Sequence, residues 1–280
     1  MADAAKKAFV IGHPIAHSRS PLIHGYWLSS LGLDGSYERI DVAPGDLRTF
    51  IADLSKNGFV GGNVTIPHKE VVREFVTRPS EAAELIGAVN TLWSADGILH
   101  GDNTDAQGFA SNLENYQPGW SSVSSALVLG AGGAARAILF ALVQAGIRDI
   151  RVVNRTLARA QELADRFGNG VSAHSWDDMH ELAAEVELVV NTTSVGMGGK
   201  GPAPLDVGIL PAAALVTDIV YTPLQTPLLA AASARGLRTV DGLGMLLHQA
   251  APGFERWFGV LPPVTDELRD LVVADLGVHG

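Results

Sequence analysis

Ala126-Leu127-Val128-Leu129-Gly130-Ala131-Gly132-Gly133-Ala134-Ala135-Arg136 is the run whose reading decides the fold. Its apolar start suits a buried strand, its glycine cluster a sharp turn, and Ala134 to Ala145 a helix that follows at once. Glycine lets the backbone come close to a ligand, and a helix N-terminus offers free N–H groups and a positive dipole end. An anionic pyrophosphate matches that arrangement, so a dinucleotide site is the first expectation. The spacing is G-x-G-G-x-x rather than G-x-G-x-x-G, with Ala134 and Ala135 as the small close-packing residues. A tight strand-to-helix turn without a ligand has the same local sequence, so the surroundings must decide.

Downstream, the pattern repeats. A strand at 150–153 precedes a helix over 156–167, and a strand at 187–191 runs into Thr192-Thr193-Ser194. Another at 215–220 ends in Tyr221-Thr222-Pro223, followed by a helix at 226–235 and a short strand at 238–240. Repeated βα units of this length imply a parallel, doubly wound sheet, which strengthens the dinucleotide reading. That domain is expected over 105–241, entered through a helix from about Thr104 to Tyr116 and the polar stretch 117–125. At the end of its second strand an NAD site places an acid for the ribose 2′-OH. This chain has Asn154-Arg155-Thr156 there, with Arg159 one turn on. Two guanidiniums and small polar groups suit a 2′-phosphate instead, which points to NADP. A helix start merely decorated with basic residues fits less well, because arginine in the first turn opposes the dipole.

Upstream, residues 1–104 alternate strand and helix as a small mixed sheet of their own. Phe9-Val10-Ile11-Gly12 is the first strand, and Ser20 is placed to cap a helix with Pro21 as its first residue. Ser18 and Ser20 are then either capping groups or paired hydroxyls for a polar ligand. A strand at 37–42, a helix at 44–54 and a strand at 60–66 follow. The third strand stops at Pro67-His68-Lys69, which clusters Asn63, Thr65 and Lys69 at one strand end. On its own, Lys69 is open between a solvated charge and a catalytic group. A strand pair then crosses the Asp96-Gly97 turn. Beyond residue 241, helices at 242–258 and 265–276 are expected to fold back on the first domain.

Composition limits the function classes. The 280 residues suffice for two domains, and 47% hydrophobic with 18% charged residues describes a globular protein with a full core. No apolar run approaches the ~20 residues of a membrane span, and the start is too short for a signal sequence. The absence of cysteine removes disulfides, thiolate nucleophiles and Cys-ligated zinc together, consistent with a cytoplasmic protein. The nine histidines show no metal-ligand spacing such as His-x-x-x-His on a helix, so no metal is expected. A net charge of −10 argues against nucleic-acid binding, so anionic ligands must be held by local cations and helix ends.

Taken together, the motifs resemble the shikimate dehydrogenase family nearly end to end. Those that carry the resemblance are His17-Ser18-Arg19-Ser20-Pro21, Asn63-Val64-Thr65-Ile66-Pro67-His68-Lys69, Gly87-Ala88-Val89-Asn90-Thr91 and Gly101-Asp102-Asn103-Thr104-Asp105. Gly130 to Ala134, Asn154-Arg155-Thr156 through Arg159, Asn191 to Ser194 and Asp241 to Gln249 extend it. The resemblance implies a two-domain α/β oxidoreductase. It would reduce 3-dehydroshikimate reversibly to shikimate with NADPH, on the way to chorismate and the aromatic amino acids.

It further implies that Ser18, Ser20, Thr65, Asn90, Asp105, Tyr221 and Gln249 hold the substrate. Lys69 takes the acid/base position, with Asp105 beside it. Gly130, Ala131, Gly132, Gly133 and Ala134 match the pyrophosphate loop, and Asn154, Arg155, Thr156 and Arg159 the 2′-phosphate clamp. Thr193, Ile219 and Gly242 match cofactor contacts, the last two near the nicotinamide, and Glu81 a cofactor-linked position without a physical rationale. His13 and Ala106 depart from the family pattern without removing a group the chemistry needs. An NAD-dependent quinate/shikimate dehydrogenase and a non-catalytic cofactor-binding relative are the alternatives. Monomer and homodimer both remain open.

Overall fold

Runs such as Ala8-Phe9-Val10-Ile11 and Ala126-Leu127-Val128-Leu129 carry no polar side chain, so they are stable only as strands covered on both faces. In the computed structural model, which describes residues 5–168 and 170–279, all eight are buried. Each run sits in its own sheet. The order of elements is β1 (Lys6–Gly12), α1 (Ser20–Ser30), β2 (Gly35–Asp41), α2 (Leu47–Ala52), β3 (Phe59–Val64), α3 (Lys69–Val72), β4 (Arg78–Pro79), α4 (Glu81–Ile86), β5 (Thr91–Ala95) and β6 (Ile98–Asp102). There follow α5 (Asp105–Tyr116), β7 (Ser125–Leu129), α6 (Gly133–Gln144), β8 (Asp149–Asn154), α7 (Leu157–Phe167), β9 (Val171–Ser175), α8 (Met179–Ala183), β10 (Leu188–Asn191), β11 (Leu215–Asp218), α9 (Pro227–Ala234) and β12 (Arg238–Val240). Two helices end the chain, α10 (Leu243–Phe258) and α11 (Asp266–His279). The chain divides into two compact units, one of residues 1–104 with 247–274 and one of 105–246 with 275–280.

In the first unit the sheet order is β2-β1-β3-β5-β6-β4. Strands β2, β1 and β3 are parallel, while β5 and β6 form an antiparallel hairpin against β3. An aromatic cluster binds the late helices to this sheet. The Trp257 indole donates to the Leu92 carbonyl at 2.8 Å, and Trp27 donates to that of Pro263 at 2.9 Å.

The second unit holds a wholly parallel sheet in the order β12-β11-β10-β7-β8-β9. Counted from its own first strand this is 6-5-4-1-2-3, the doubly wound order whose ligand crevice lies between the first and fourth strands. That crevice opens at the ends of β7 and β10. The run that opened the reading therefore occupies the switch point.

Several boundaries differ from expectation for local reasons. Ser20 is the first residue of α1 rather than its cap, and Arg19 stands at the cap with no side-chain capping bond. The serine that meets a helix-start amide is Ser18, whose Oγ accepts from Ser20 N–H at 3.4 Å. The helix expected from Pro44 opens as a 3-10 turn, Pro44–Asp46, before α2. Strand β11 ends at Asp218 rather than residue 220, because Asp218 Oδ1 accepts from Val220 N–H at 3.0 Å and curls the backbone. One boundary between the two units falls inside α10, at 246/247.

Candidate active site

In the first unit, the ends of the hairpin and of β3 bring polar groups to one place. Asn90 is 2% exposed and carries the centre of the cluster. Its Oδ1 accepts from the Thr104 N–H at 2.9 Å and the Thr91 hydroxyl at 2.8 Å. Its Nδ2 donates to Gln249 Oε1 at 3.4 Å, and the Thr104 hydroxyl donates to the Gln249 carbonyl at 2.8 Å. Behind Asn90 the chain of donors continues. Asn63 Nδ2 donates to Thr91 Oγ1 at 3.2 Å, and the Tyr37 hydroxyl donates to Asn63 Oδ1 at 2.6 Å. Burial pushes the Tyr37 hydroxyl well above the usual phenol pKa, with the Ser20 side chain and Asn63 acting in the opposite direction. Thus Asn90 and Gln249 are backed by Thr91, Asn63 and Tyr37, which the resemblance does not assign.

The neighbouring candidates sit on strand ends. Thr65 follows β3, its N–H donating to the Ile11 carbonyl at 2.9 Å. Lys69 opens α3 half-buried, and its carbonyl accepts from Val89 N–H at 2.7 Å. The preceding His68 is 1% exposed and its Nε2 lies 2.7 Å from the Val42 carbonyl, which fixes the turn that presents Lys69. Asp105 follows Thr104 directly and begins α5 in the second unit. Glu81 is exposed at the first position of α4, where a carboxylate meets the positive helix end favourably.

In the second unit the glycine loop suits a dinucleotide. Gly130 has φ +100°, and a Cβ there would lie 2.8 Å from Thr193 Cγ2, so the loop is seated against the end of β10. Gly132 caps α6 with no side-chain bond, and a Cβ on Gly132 or Gly133 would meet nothing within 4 Å. Uncapped N–H groups under open space are what a pyrophosphate requires. Ala131 and Ala134 are half-buried beside them. The Asn154 side chain is committed to backbone: Oδ1 accepts from Ala131 N–H at 3.2 Å, and Nδ2 donates to the Thr156 carbonyl at 2.9 Å. Asn154 thus ties the glycine loop to the end of β8. Arg155, Thr156 and Arg159 are exposed there, and no carboxylate among the described residues pairs with either arginine.

A cavity of about 370 Å³ adjoins the loop, lined by Ala134, Thr193, Met197, Ile219 and Tyr221 among others. Gly242 is fitted to the same wall, since a Cβ would come within 2.4 Å of the Ile219 carbonyl oxygen. A buried network holds this wall in shape. Asn191 Oδ1 accepts from the Thr193 hydroxyl at 2.7 Å, while its Nδ2 donates to Asp218 Oδ1 at 3.0 Å. Asp218 Oδ2 accepts from the Thr226 hydroxyl at 2.7 Å. Burial raises the Asp218 pKa, against the lowering effect of the hydrogen bonds it accepts from Thr226, Asn191 and the Val220 N–H. Sequence reasoning missed this network; a lone Asp inside an otherwise apolar strand was its signal. Among the described residues no acid–histidine group could hold a metal, and no helix is long and apolar enough to cross a membrane.

Comparisons with known proteins agree with this geometry. The family model for the shikimate dehydrogenase substrate-binding domain matches residues 10–92. Those for shikimate/quinate 5-dehydrogenase and the shikimate 5′-dehydrogenase C-terminal domain match 115–196 and 242–270. Shikimate dehydrogenase (NADP(+)) of Mesorhizobium japonicum is 64% identical over 276 residues, covering 99% of each chain. That of Brucella abortus is 56% identical over 278 residues, covering 98% of this chain and 96% of its own. Among solved structures, shikimate 5-dehydrogenase from Thermus thermophilus in complex with NADP(H) and shikimate is 39% identical, with a TM-score of 0.85 over 97% and 99% of the two chains. Quinate dehydrogenase from Corynebacterium glutamicum in complex with NAD is 33% identical, with a TM-score of 0.90 over 96% and 99%. With matches of this identity over nearly its whole length, the chain belongs to the shikimate/quinate dehydrogenase family.

Proposed function

We propose that the chain is an NADP-dependent shikimate dehydrogenase, reducing 3-dehydroshikimate reversibly to shikimate on the way to chorismate. The observation that carries this reading within a family of mixed cofactor use is the end of β8. It presents Arg155, Thr156 and Arg159 to solvent and no carboxylate. A ribose 2′-OH would find no carboxylate acceptor there, whereas a 2′-phosphate would find two guanidiniums. Gly130 to Ala134 would hold the pyrophosphate, and the wall formed by Thr193, Ile219 and Gly242 the nicotinamide end.

When bound, NADPH supplies the hydride that reduces the ketone. The protein's part is to orient that ketone and to manage its proton. Negative charge grows on the carbonyl oxygen, and Lys69 is the group assigned to donate to it, with Asp105 as its carboxylate partner. Asn90 presents an amide fixed by Thr91 and Thr104, and Gln249 one that Asn90 itself holds. Fixed donors of this kind bind a polyhydroxylated acid in one orientation. Ser18, Thr65 and Tyr221 complete the proposed substrate set. A small-molecule substrate and a cytoplasmic location go with this reading.

Steady-state rates with shikimate and quinate, each with NADP+ and NAD+, test it. Shikimate with NADP+ should give the highest kcat/KM. A preference for quinate or for NAD+ would move the chain to the other branch of its family, and no turnover with any pair would make it a non-catalytic relative.

A further inference from the structure

Strands β8 and β9 are parallel with Asn154 opposite Ser175, so Arg155 and Trp176 leave the sheet side by side at the same level. The Arg155 Cζ lies 5.9 Å from the Trp176 ring centroid. Trp176 itself is well anchored. It is half-buried against the core cluster that contains Leu127, Leu129 and Val153. It also opens a 3-10 turn, Trp176–Asp178, pinned at both ends: Ser175 N–H donates to Asp178 Oδ2 at 3.0 Å, and Ser175 Oγ accepts from Asp177 N–H at 3.3 Å. No other side-chain partner engages the Arg155 guanidinium among the described residues.

We infer that Trp176 is a positioning residue for cofactor choice: its ring holds the Arg155 guanidinium by one face and leaves the N–H edge free for the 2′-phosphate. The physical logic lies in what an aromatic partner does not use. A carboxylate would hold an arginine just as firmly but would consume its donors and neutralise its charge. A π-face attracts the cation without either cost, and it restricts a long side chain that otherwise loses rotamer entropy on ordering.

The inference rests on the reading of Arg155 as a 2′-phosphate residue, and a double-mutant cycle separates the two. kcat/KM for NADPH and for NADH is measured in the full-length wild type, Trp176→Leu, Trp176→Phe, Arg155→Ala and the Leu/Ala double variant. Arg155→Ala should lower the NADPH/NADH ratio at least tenfold. Trp176→Leu should lower it by about two- to fivefold, through KM for NADPH, with the NADH parameters unmoved. Trp176→Phe should restore most of the loss, and the double variant should be no worse than Arg155→Ala. A Trp176→Leu loss shared by both cofactors would overturn the inference, since the ring would then support the fold or meet the adenosine half common to both. So would losses that multiply in the double variant. An unchanged ratio in Arg155→Ala would overturn the 2′-phosphate reading, and this inference with it.

Discussion

At the scale of single residues, the proposed chemistry rests on one lysine whose position is set from behind. The backbone of Lys69 is held by Val89, and the turn before it by the buried His68. Lys69→Ala should therefore lower kcat by about 10²–10⁴-fold while KM for shikimate stays within a few-fold, because the binding amides are untouched. Unchanged turnover would remove Lys69 from the mechanism. His24 makes a different prediction. It is 0% exposed, its ring is stacked on Tyr37 at 4.0 Å, and neither nitrogen has a hydrogen-bond partner among the described residues. Burial lowers its pKa from 6.5 to about 3, with the nearby Asn63 only weakly opposing. Between these values the unfolded chain binds a proton that the folded protein refuses, so stability rises with pH through the window and is lost as pH falls from 6.5 toward 3. The slope from this one group approaches ~1.4 kcal/mol per pH unit in the middle of that range. Urea unfolding of His24→Phe should show a shallower pH dependence than wild type below pH 6. Equal slopes would mean that other groups dominate acid unfolding.

At the scale of elements, legibility followed periodicity and length. The long apolar strands and helices, from β1 and β7 to α6 and α10, show in the sequence because burial on both faces, or on one helical stripe, leaves a pattern. Strand β9 does not: Val171-Ser-Ala-His-Ser175 is an edge strand, half-exposed, and has no apolar run to reveal it. Missing β9 also hid Trp176, whose relation to Arg155 is a fact of register between neighbouring strands. The glycine loop and the arginines lie on contiguous motifs and were readable. The Asn191–Asp218–Thr226 network joins three elements far apart in sequence and was not. That network yields a test. In Asp218→Ala, Asn191 Nδ2, the Thr226 hydroxyl and Val220 N–H lose their shared acceptor inside a buried site. A loss of roughly 2–4 kcal/mol in unfolding free energy is expected. The KM for NADP+ should rise as well, since Thr193 and Ile219 flank the loosened wall. A variant as stable as wild type would show that water replaces the lost acceptor.

At the scale of the whole molecule, an acidic protein must attract a cofactor more anionic than itself per unit size. With a net charge of −10, long-range forces oppose NADPH and NADH alike, and both would share the pyrophosphate contact proposed at α6. The two cofactors differ only at the 2′-phosphate, which the proposed clamp meets with exposed guanidiniums. Exposed charge pairs are screened once the Debye length, about 10 Å at 0.1 M salt, approaches their separation. Salt therefore acts on NADPH twice, weakening the local clamp and relieving the general repulsion, but on NADH chiefly through the repulsion. The ratio of kcat/KM for the two cofactors cancels most of the shared part and isolates the clamp. It should fall several-fold as ionic strength rises from low salt to about 0.5 M, with NADH activity steady or rising. In Arg155→Ala the ratio should start lower and change little with salt. A ratio that holds constant in the wild type would place the cofactor preference in buried shape complementarity rather than in the exposed arginines after β8.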